Sequence, residues 1–257
     1  MRFELEDEHE AFRRVVREFA EAEIAPHSAK WDETGEFPAA AVRKMGELGL
    51  FGLPFPEEIG GMGGDFTSLC VAIEEIGRID QSLGITLEAG VGLGINPIVS
   101  FGSEEQQTAY LPNLMTGKAL AAFGLTEDEA GSDAAATRTR AVLDGDEWII
   151  NGSKAFITNA GTELTSVVTI TARTGDEEIS AILVPRGAAG FEVQAPYRKM
   201  GWHASDTRGL VFHDCRVPAT NLLGVRGLGF RQFLAVLDDG RIAIAALALG
   251  LIERCLE

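Results

Sequence analysis

Apolar residues recur along the first hundred positions at helical spacing. Phe12, Val15, Val16, Phe19 and Ala20 stand at i, i+3, i+4, i+7 and i+8, one stripe of a helix that Pro26 is expected to end. Pro38 then opens a second helix, AAAVRKMGEL, with Gly49 just past its end. Prolines and glycines break both periods through GLPFPEEIGGMGG (52–64), which predicts irregular chain there. A third helix is predicted from about Thr67 to Ile76, and an apolar, glycine-containing one around 82–95. Ser103-Glu-Glu-Gln106 has the form of a capping box opening a further helix, which Pro112 and Gly117 should bring to an end. From about Ala119 valine, isoleucine, threonine and tryptophan gather in short runs: AVL (141–143), EWII (147–150), SVVTITA (166–172), AILV (181–184) and GLVF (209–212). Turn residues separate them, and DGDEW (144–148) reads as a tight turn. These runs predict an antiparallel sheet or barrel. From Gly229 the spacing is helical again, strongly apolar, and continues to the final residue without a stop signal. The pattern therefore predicts an α+β chain: a helical domain over 1–118, a β-domain over 119–225 and a helix within 226–257.

Composition narrows the function. A chain of 257 residues with a formal net charge of −17 repels nucleic-acid phosphate. A hydrophobic content of 46% with 24% charged residues suits a folded globular protein. No window approaches 18 uninterrupted apolar residues, and the opening MRFELEDEHEAF lacks the basic start and apolar stretch of a signal peptide. Cys70, Cys215 and Cys255 stand far apart, which excludes a CxxC metal or redox pair. A soluble, cytoplasmic protein is expected. Charge is uneven: residues 1–100 hold 8 Lys/Arg against 19 Asp/Glu, whereas 198–241 hold 7 Lys/Arg against 4 Asp. That basic stretch is either scatter on a solvated face or a local anion site, where arginine forks suit phosphate.

Three segments carry candidate chemistry. FGLTEDEAGSD (123–133) ends a strand and sets Thr126 and Ser132 around an acidic turn. NGSKAFITNAG (151–161) is expected to put Phe156, Thr158 and Asn159 at the close of a β-hairpin. KMGWHASDTRGLVFHDCRVPATNLLG (199–224) is a long strand-and-turn segment. Taken singly, each could be loop chemistry, because Ser, Thr and Asp commonly cap and turn backbones. No GxGxxG follows a strand, so a Rossmann dinucleotide site is not supported.

In order along one chain, these segments resemble the acyl-CoA dehydrogenase family. LTEDEAGSD is similar to its T-E-P-x-A-G-S-D signature and KAFITNAG to its K-x-W-I-T-N-G signature. MGWHASDT with FHDCRVPATNLLG is similar to M-G-x-R-x-S-D-T … F-x-D-x-x-V-P-x-x-N-L-L-G. PEEIGGMGG (56–64) matches a family loop, and Asp238-x-x-Arg241 matches the start of the family's C-terminal helical domain. The resemblance implies a helical N-terminal domain, a middle β-domain and the first helix of a C-terminal four-helix bundle. It also implies FAD held against Phe123, Leu125, Thr126, Phe156 and Thr158, and a CoA moiety met by Ser132, Asp238 and Arg241. Glu88 falls where relatives close the acyl pocket, although a partly exposed helix glutamate is an equally ready reading. The implied reaction is α,β-dehydrogenation of an acyl-CoA, with electrons leaving to an electron-transferring flavoprotein and subunits assembled as a homotetramer.

The sequence departs from the pattern at several places. Asp128 and Glu129 replace the usual proline and small residue, Phe156 replaces the usual tryptophan, and Trp202-His203 stands where a polar residue and arginine are common. In most relatives the catalytic glutamate lies late in the C-terminal domain; in some it directly precedes the arginine, where this chain has Gly240. The expectation is that the base lies in a continuation of the polypeptide beyond Glu257, so no residue of 1–257 is assigned as catalytic. A non-catalytic acyl-CoA or flavin-binding subunit of a hetero-oligomer, and a flavin oxidase or monooxygenase, are the alternatives.

Overall fold

The computed structural model describes residues 4–257, so the first three residues of the predicted helical domain and of the acidic opening lie outside the described residues. The first apolar stripe forms α1 (Asp7–Phe19), but Pro26 does not end the helical path. Ala20–Ile24 widens into a π-helical turn, and α2 (Ala25–Thr34) continues with Pro26 in its first turn. In a first turn, proline lacks only an N–H that has no helical acceptor, so the helix resumes there. α3 (Ala39–Glu47) follows Pro38, and the proline- and glycine-rich stretch after it is irregular apart from two 3-10 turns, Leu50–Gly52 and Glu57–Ile59. The Asp65 carboxylate accepts the Ser68 N–H and so caps α4 (Phe66–Ile79).

α5 (Gln81–Glu88), a second π-helical stretch (Ala89–Ile95) and α6 (Asn96–Phe101) run on as one helix of 21 residues. By length and composition that helix could cross a bilayer, which a test for unbroken apolar runs misses because Ser82, Thr86, Glu88 and Asn96 interrupt it. Most of it is buried inside the fold, as a core helix is. The expected capping box opens α7 (Glu104–Met115), but Pro112 lies inside this helix. Burial of Leu111, Leu114 and Met115 outweighs the local cost of the proline, and the helix ends before Gly117.

The predicted strand runs fall within β2 (Arg140–Asp144), β3 (Glu147–Thr158), β4 (Thr165–Arg173), β5 (Ile179–Pro185) and β7 (Thr207–Pro218). Three further strands carry weaker patterns: the alanine-rich β1 (Leu120–Gly124), the largely exposed β6 (Phe191–Pro196) and the two-residue β8 (Leu222–Leu223). The sheet order is β6-β7-β3-β2-β4-β5-β8, with β1 added beside β4. It is not purely antiparallel, since β1 runs parallel to β4 and one parallel pair, Arg140 with Arg173, joins β2 to β4. Asp144 and Glu147 pair across the predicted tight turn. The end of β3 closes no hairpin with the next strand; Thr158 lies opposite Thr207 of β7.

The alternation along β4 and β5 explains where the core sits. Val167, Ala181 and Leu183 pack into the core shared with the helices. Their neighbours Val168, Ile182 and Val184 face a second core, built with Trp148, Ile150 and Leu210 from the other half of the sheet. The sheet thus folds over on itself and leaves one face to the helical domain. α8 (Gly229–Leu256) crosses that domain against α4 and α5. A methyl built on Gly250 would stand 2.1 Å from the Glu74 carbonyl oxygen, so only glycine permits this approach of the two helices. The outer face of α8 leaves Ile242, Leu249, Leu251 and Ile252 exposed.

Candidate active site

Two cavities lie on either side of the helical stretch that joins α5 to α6. The smaller, of about 180 Å³, is lined by Ala89 and Leu93 from that stretch, by Phe123, Leu125 and Thr126 after β1, by Phe156, Ile157 and Thr158 at the end of β3, and by Leu237 of α8. β1 and β3 are not neighbours in the sheet, so the convergence is made by cross-links. The Ala155 N–H donates to the Thr126 carbonyl over 2.9 Å. Phe123 stacks on Phe233 of α8 with ring centroids 3.9 Å apart. Phe156 holds φ at +61°, a left-handed conformation that costs a bulky residue on the order of 1–3 kcal/mol and persists where the surroundings impose it. The residue is 61% exposed at the cavity edge, and its ring packs on Tyr197 at 4.9 Å between centroids.

Beneath this cavity Lys154 and Glu127 form a buried ion pair of 2.7 Å. The ammonium also lies 3.2 Å from the Leu125 carbonyl and 3.0 Å from Thr171 Oγ1. Glu127 accepts from the Thr137 hydroxyl and from the backbone N–H groups of Arg138 and Thr139. Burial alone would raise the Glu127 carboxyl, but the Lys154 charge and these donors hold it down at about 2. Burial pushes the Lys154 ammonium down to about 8, with Glu127 opposing the shift. Asn159, buried and left-handed at φ +61°, donates from Nδ2 to the Thr86 carbonyl of α5 and so ties the end of β3 to the helical domain.

The larger cavity, of about 360 Å³, is mostly apolar: Phe55, Phe66, Leu69, Val91 and Val99 dominate its wall. Glu88, Asn96 and Asp239 are its polar side chains, and Gly92 and Gly240 complete the lining near Glu88. Glu88 is 2% exposed, which excludes the partly exposed alternative. Burial lifts its carboxyl to about 7, and among the described residues no charge or hydrogen bond offsets the rise.

Residues 6–118 match the acyl-CoA dehydrogenase N-terminal domain and residues 122–215 the acyl-CoA dehydrogenase middle domain. The chain belongs to the acyl-CoA dehydrogenase family. That makes it an oxidoreductase chain. It is 49% identical over 260 aligned residues to a probable acyl-CoA dehydrogenase of Bacillus subtilis (strain 168), covering 100% of this chain and 68% of the relative. It superposes on butyryl-CoA dehydrogenase from Megasphaera elsdenii with a TM-score of 0.95 at 39% identity, covering 100% of this chain and 68% of that one. An acyl-CoA dehydrogenase of Bacillus anthracis complexed with FAD gives a TM-score of 0.91 at 37% identity, over 96% of this chain and 42% of that one. The chain thus spans about two thirds of the length of the first two.

Within this acyl-CoA dehydrogenase chain, Phe123, Leu125, Thr126, Phe156 and Thr158 meet in the smaller cavity, and Glu88 lies in the larger one. Ser132, Asp238 and Arg241 line neither. Ser132 is exposed on the turn after Glu127, and Arg241 pairs with Asp238 on an exposed face of α8. The basic stretch does not form one anion site: Arg208, Arg216 and Arg226 pair separately with Asp206, Glu147 and Glu178. The Lys154–Glu127 pair, Asn159, Leu93 and Gly92 carry structure around the cavities that the motif reading did not assign. Lys154, Glu127 and Asn159 lie inside the quoted motifs, so the signal was present; Leu93 and Gly92 offer none, because helix spacing alone does not say what a residue faces.

Proposed function

We propose that this chain forms the flavin and thioester sites of an FAD-dependent acyl-CoA dehydrogenase that converts a short acyl-CoA to the 2-enoyl-CoA. The observation that carries the reading is the convergence of five motif residues from two separate strand ends on one cavity, beside a second, apolar cavity. The smaller cavity suits a flavin ring: Leu93, Phe123, Leu125 and Leu237 offer apolar surface, and the Thr126 and Thr158 hydroxyls, free of other protein partners among the described residues, suit its polar edge. FAD, when bound, supplies the acceptor for the β-hydrogen as hydride.

The chain's own residues prepare that chemistry. Thr126 and Thr158 would hold the ring edge, and Phe156 would screen it from water at the cavity mouth. Phe55, Phe66, Leu69 and Val99 exclude water from the acyl chain, which strengthens interactions at the thioester. Ser132, Asp238 and Arg241 meet the CoA moiety, with Arg241 suited to its anionic part. The α-proton leaves to a carboxylate; residue 240, where some relatives carry that group, is glycine here, so position 240 does not supply it. An electron-transferring flavoprotein in the cytoplasm would serve as the electron acceptor, and the exposed apolar face of α8 suits burial in a homotetramer.

Anaerobic titration of the full-length flavoprotein with butyryl-CoA should bleach the flavin absorbance. If no saturated acyl-CoA of any chain length does so, the reading is wrong.

A further inference from the structure

The Glu88 carboxyl is buried in the apolar cavity without a donor or counter-charge among the described residues. It occupies a gap between Gly92, one turn along its own helix, and Gly240 of α8. A methyl built on Gly92 would stand 3.1 Å from Glu88 Oε1, and one built on Gly240 would stand 3.3 Å from it. The two glycines leave the carboxyl its space while offering it no side-chain partner.

A plain hydrocarbon chain filling this cavity would displace the water that solvates Glu88 and put nothing in its place. A buried polar group left without a partner carries its full desolvation cost. An acyl chain with a donor at its far end would remove that cost. Asp239 at the rim and Asn96 on the wall are the other polar side chains, and Asp239 adds a second acid. Asp239, joined by Glu88 above about pH 7, sets the sign of the site: the carboxylates attract donors and cations and repel a third carboxylate.

We infer that Glu88 is a specificity residue selecting acyl thioesters whose acyl group ends in a hydrogen-bond donor, a hydroxyl or an ammonium, over plain hydrocarbon and carboxyl-tipped chains. The inference rests on the acyl-CoA reading above.

The test compares hexanoyl-CoA, 6-hydroxyhexanoyl-CoA, 6-aminohexanoyl-CoA and adipoyl-CoA on the full-length holoenzyme. Affinity is read by calorimetry and kcat/KM by flavin reduction. The expected order places at least one donor-tipped thioester about tenfold ahead of hexanoyl-CoA, the equivalent of one decade in Kd, with adipoyl-CoA last. A lead by the hydroxyl compound marks neutral donor recognition, and a lead by the amine alone marks cation recognition. Glu88→Leu should invert the preference in favour of hexanoyl-CoA. Glu88→Gln, which keeps the size, should retain a hydroxyl preference and lose an ammonium one. Hexanoyl-CoA leading in the wild type, or an order unchanged in both variants, overturns the inference while leaving the dehydrogenase reading intact. Thioesters that bind in the expected order without reducing flavin overturn the dehydrogenase reading instead. Absence of binding by all four overturns both.

Discussion

Lys154 Nζ lies 2.7 Å from Glu127 Oε1, both groups buried, and this one ion pair joins the strand end carrying Phe156 and Thr158 to the loop carrying Thr126. The two signature segments, 27 residues apart at this pair, therefore share a buried ionic support beside the Ala155–Thr126 backbone hydrogen bond. The cavity above depends on both.

Removing one partner leaves the other charged and buried. Lys154→Met or Glu127→Gln should destabilise the protein by about 3–5 kcal/mol, read as a lower urea midpoint, and flavin content should fall with it. The double variant should lose less than the sum of the two. Single-variant losses below about 1 kcal/mol would show that the pair is not the support.

The same pair sets an acid limit. Glu127 is held at about 2 when folded, against an ordinary value of 4.5, so its contribution is complete above 4.5. That contribution is lost as pH falls from 4.5 toward 2. Unfolding free energy measured across that window should decline more steeply in the wild type than in Glu127→Gln.

Glu88 acts in the opposite sense. Its folded value of about 7 exceeds the ordinary 4.5, so the fold prefers the protonated carboxyl and loses stability as pH rises from 4.5 through 7. Glu88→Gln cannot ionise. It should match the wild type near pH 4.5 and exceed it by up to about 3 kcal/mol above pH 8. A constant difference at all pH values would contradict this account.

Phe156 should separate stability from cofactor retention. Phe156→Gly relieves a left-handed φ of +61° that glycine adopts without strain. The variant should melt no lower than the wild type, or higher by an equivalent of up to about 1 kcal/mol, yet release flavin more readily because the ring at the cavity mouth is gone. A large drop in melting temperature would show that stacking on Tyr197 outweighs the strain.

Gly250 tests the helix approach. Its added methyl would meet the Glu74 carbonyl at 2.1 Å, and backbone cannot yield as a flexible side chain can. Gly250→Ala should cost about 1–3 kcal/mol or more by thermal unfolding. An unchanged melting temperature would place the α4–α8 packing elsewhere.

Much of the fold was legible in local spacing. The stripe from Phe12 to Ala20, the Ser103–Gln106 capping box, the Asp144–Glu147 turn and the valine-rich β4 and β5 all formed as their periods require. Each is set by neighbours a few positions away, where backbone geometry and side-chain direction are strictly periodic. The ordered motifs named the family, because signatures at fixed intervals survive without knowledge of contacts.

Other features belonged to the tertiary structure alone. Pro26 and Pro112 failed as helix stops, the first because it fell in a first turn and the second because buried neighbours outweighed its local cost. The parallel pairing of β1 with β4, the support beneath the smaller cavity and the burial of Glu88 arise between segments far apart in the chain. The sequence by itself determined which elements form and to which family they belong. Only packing decided that Glu88 lies buried between two glycines, because desolvation is a property of everything around a group and not of the residues beside it in the chain.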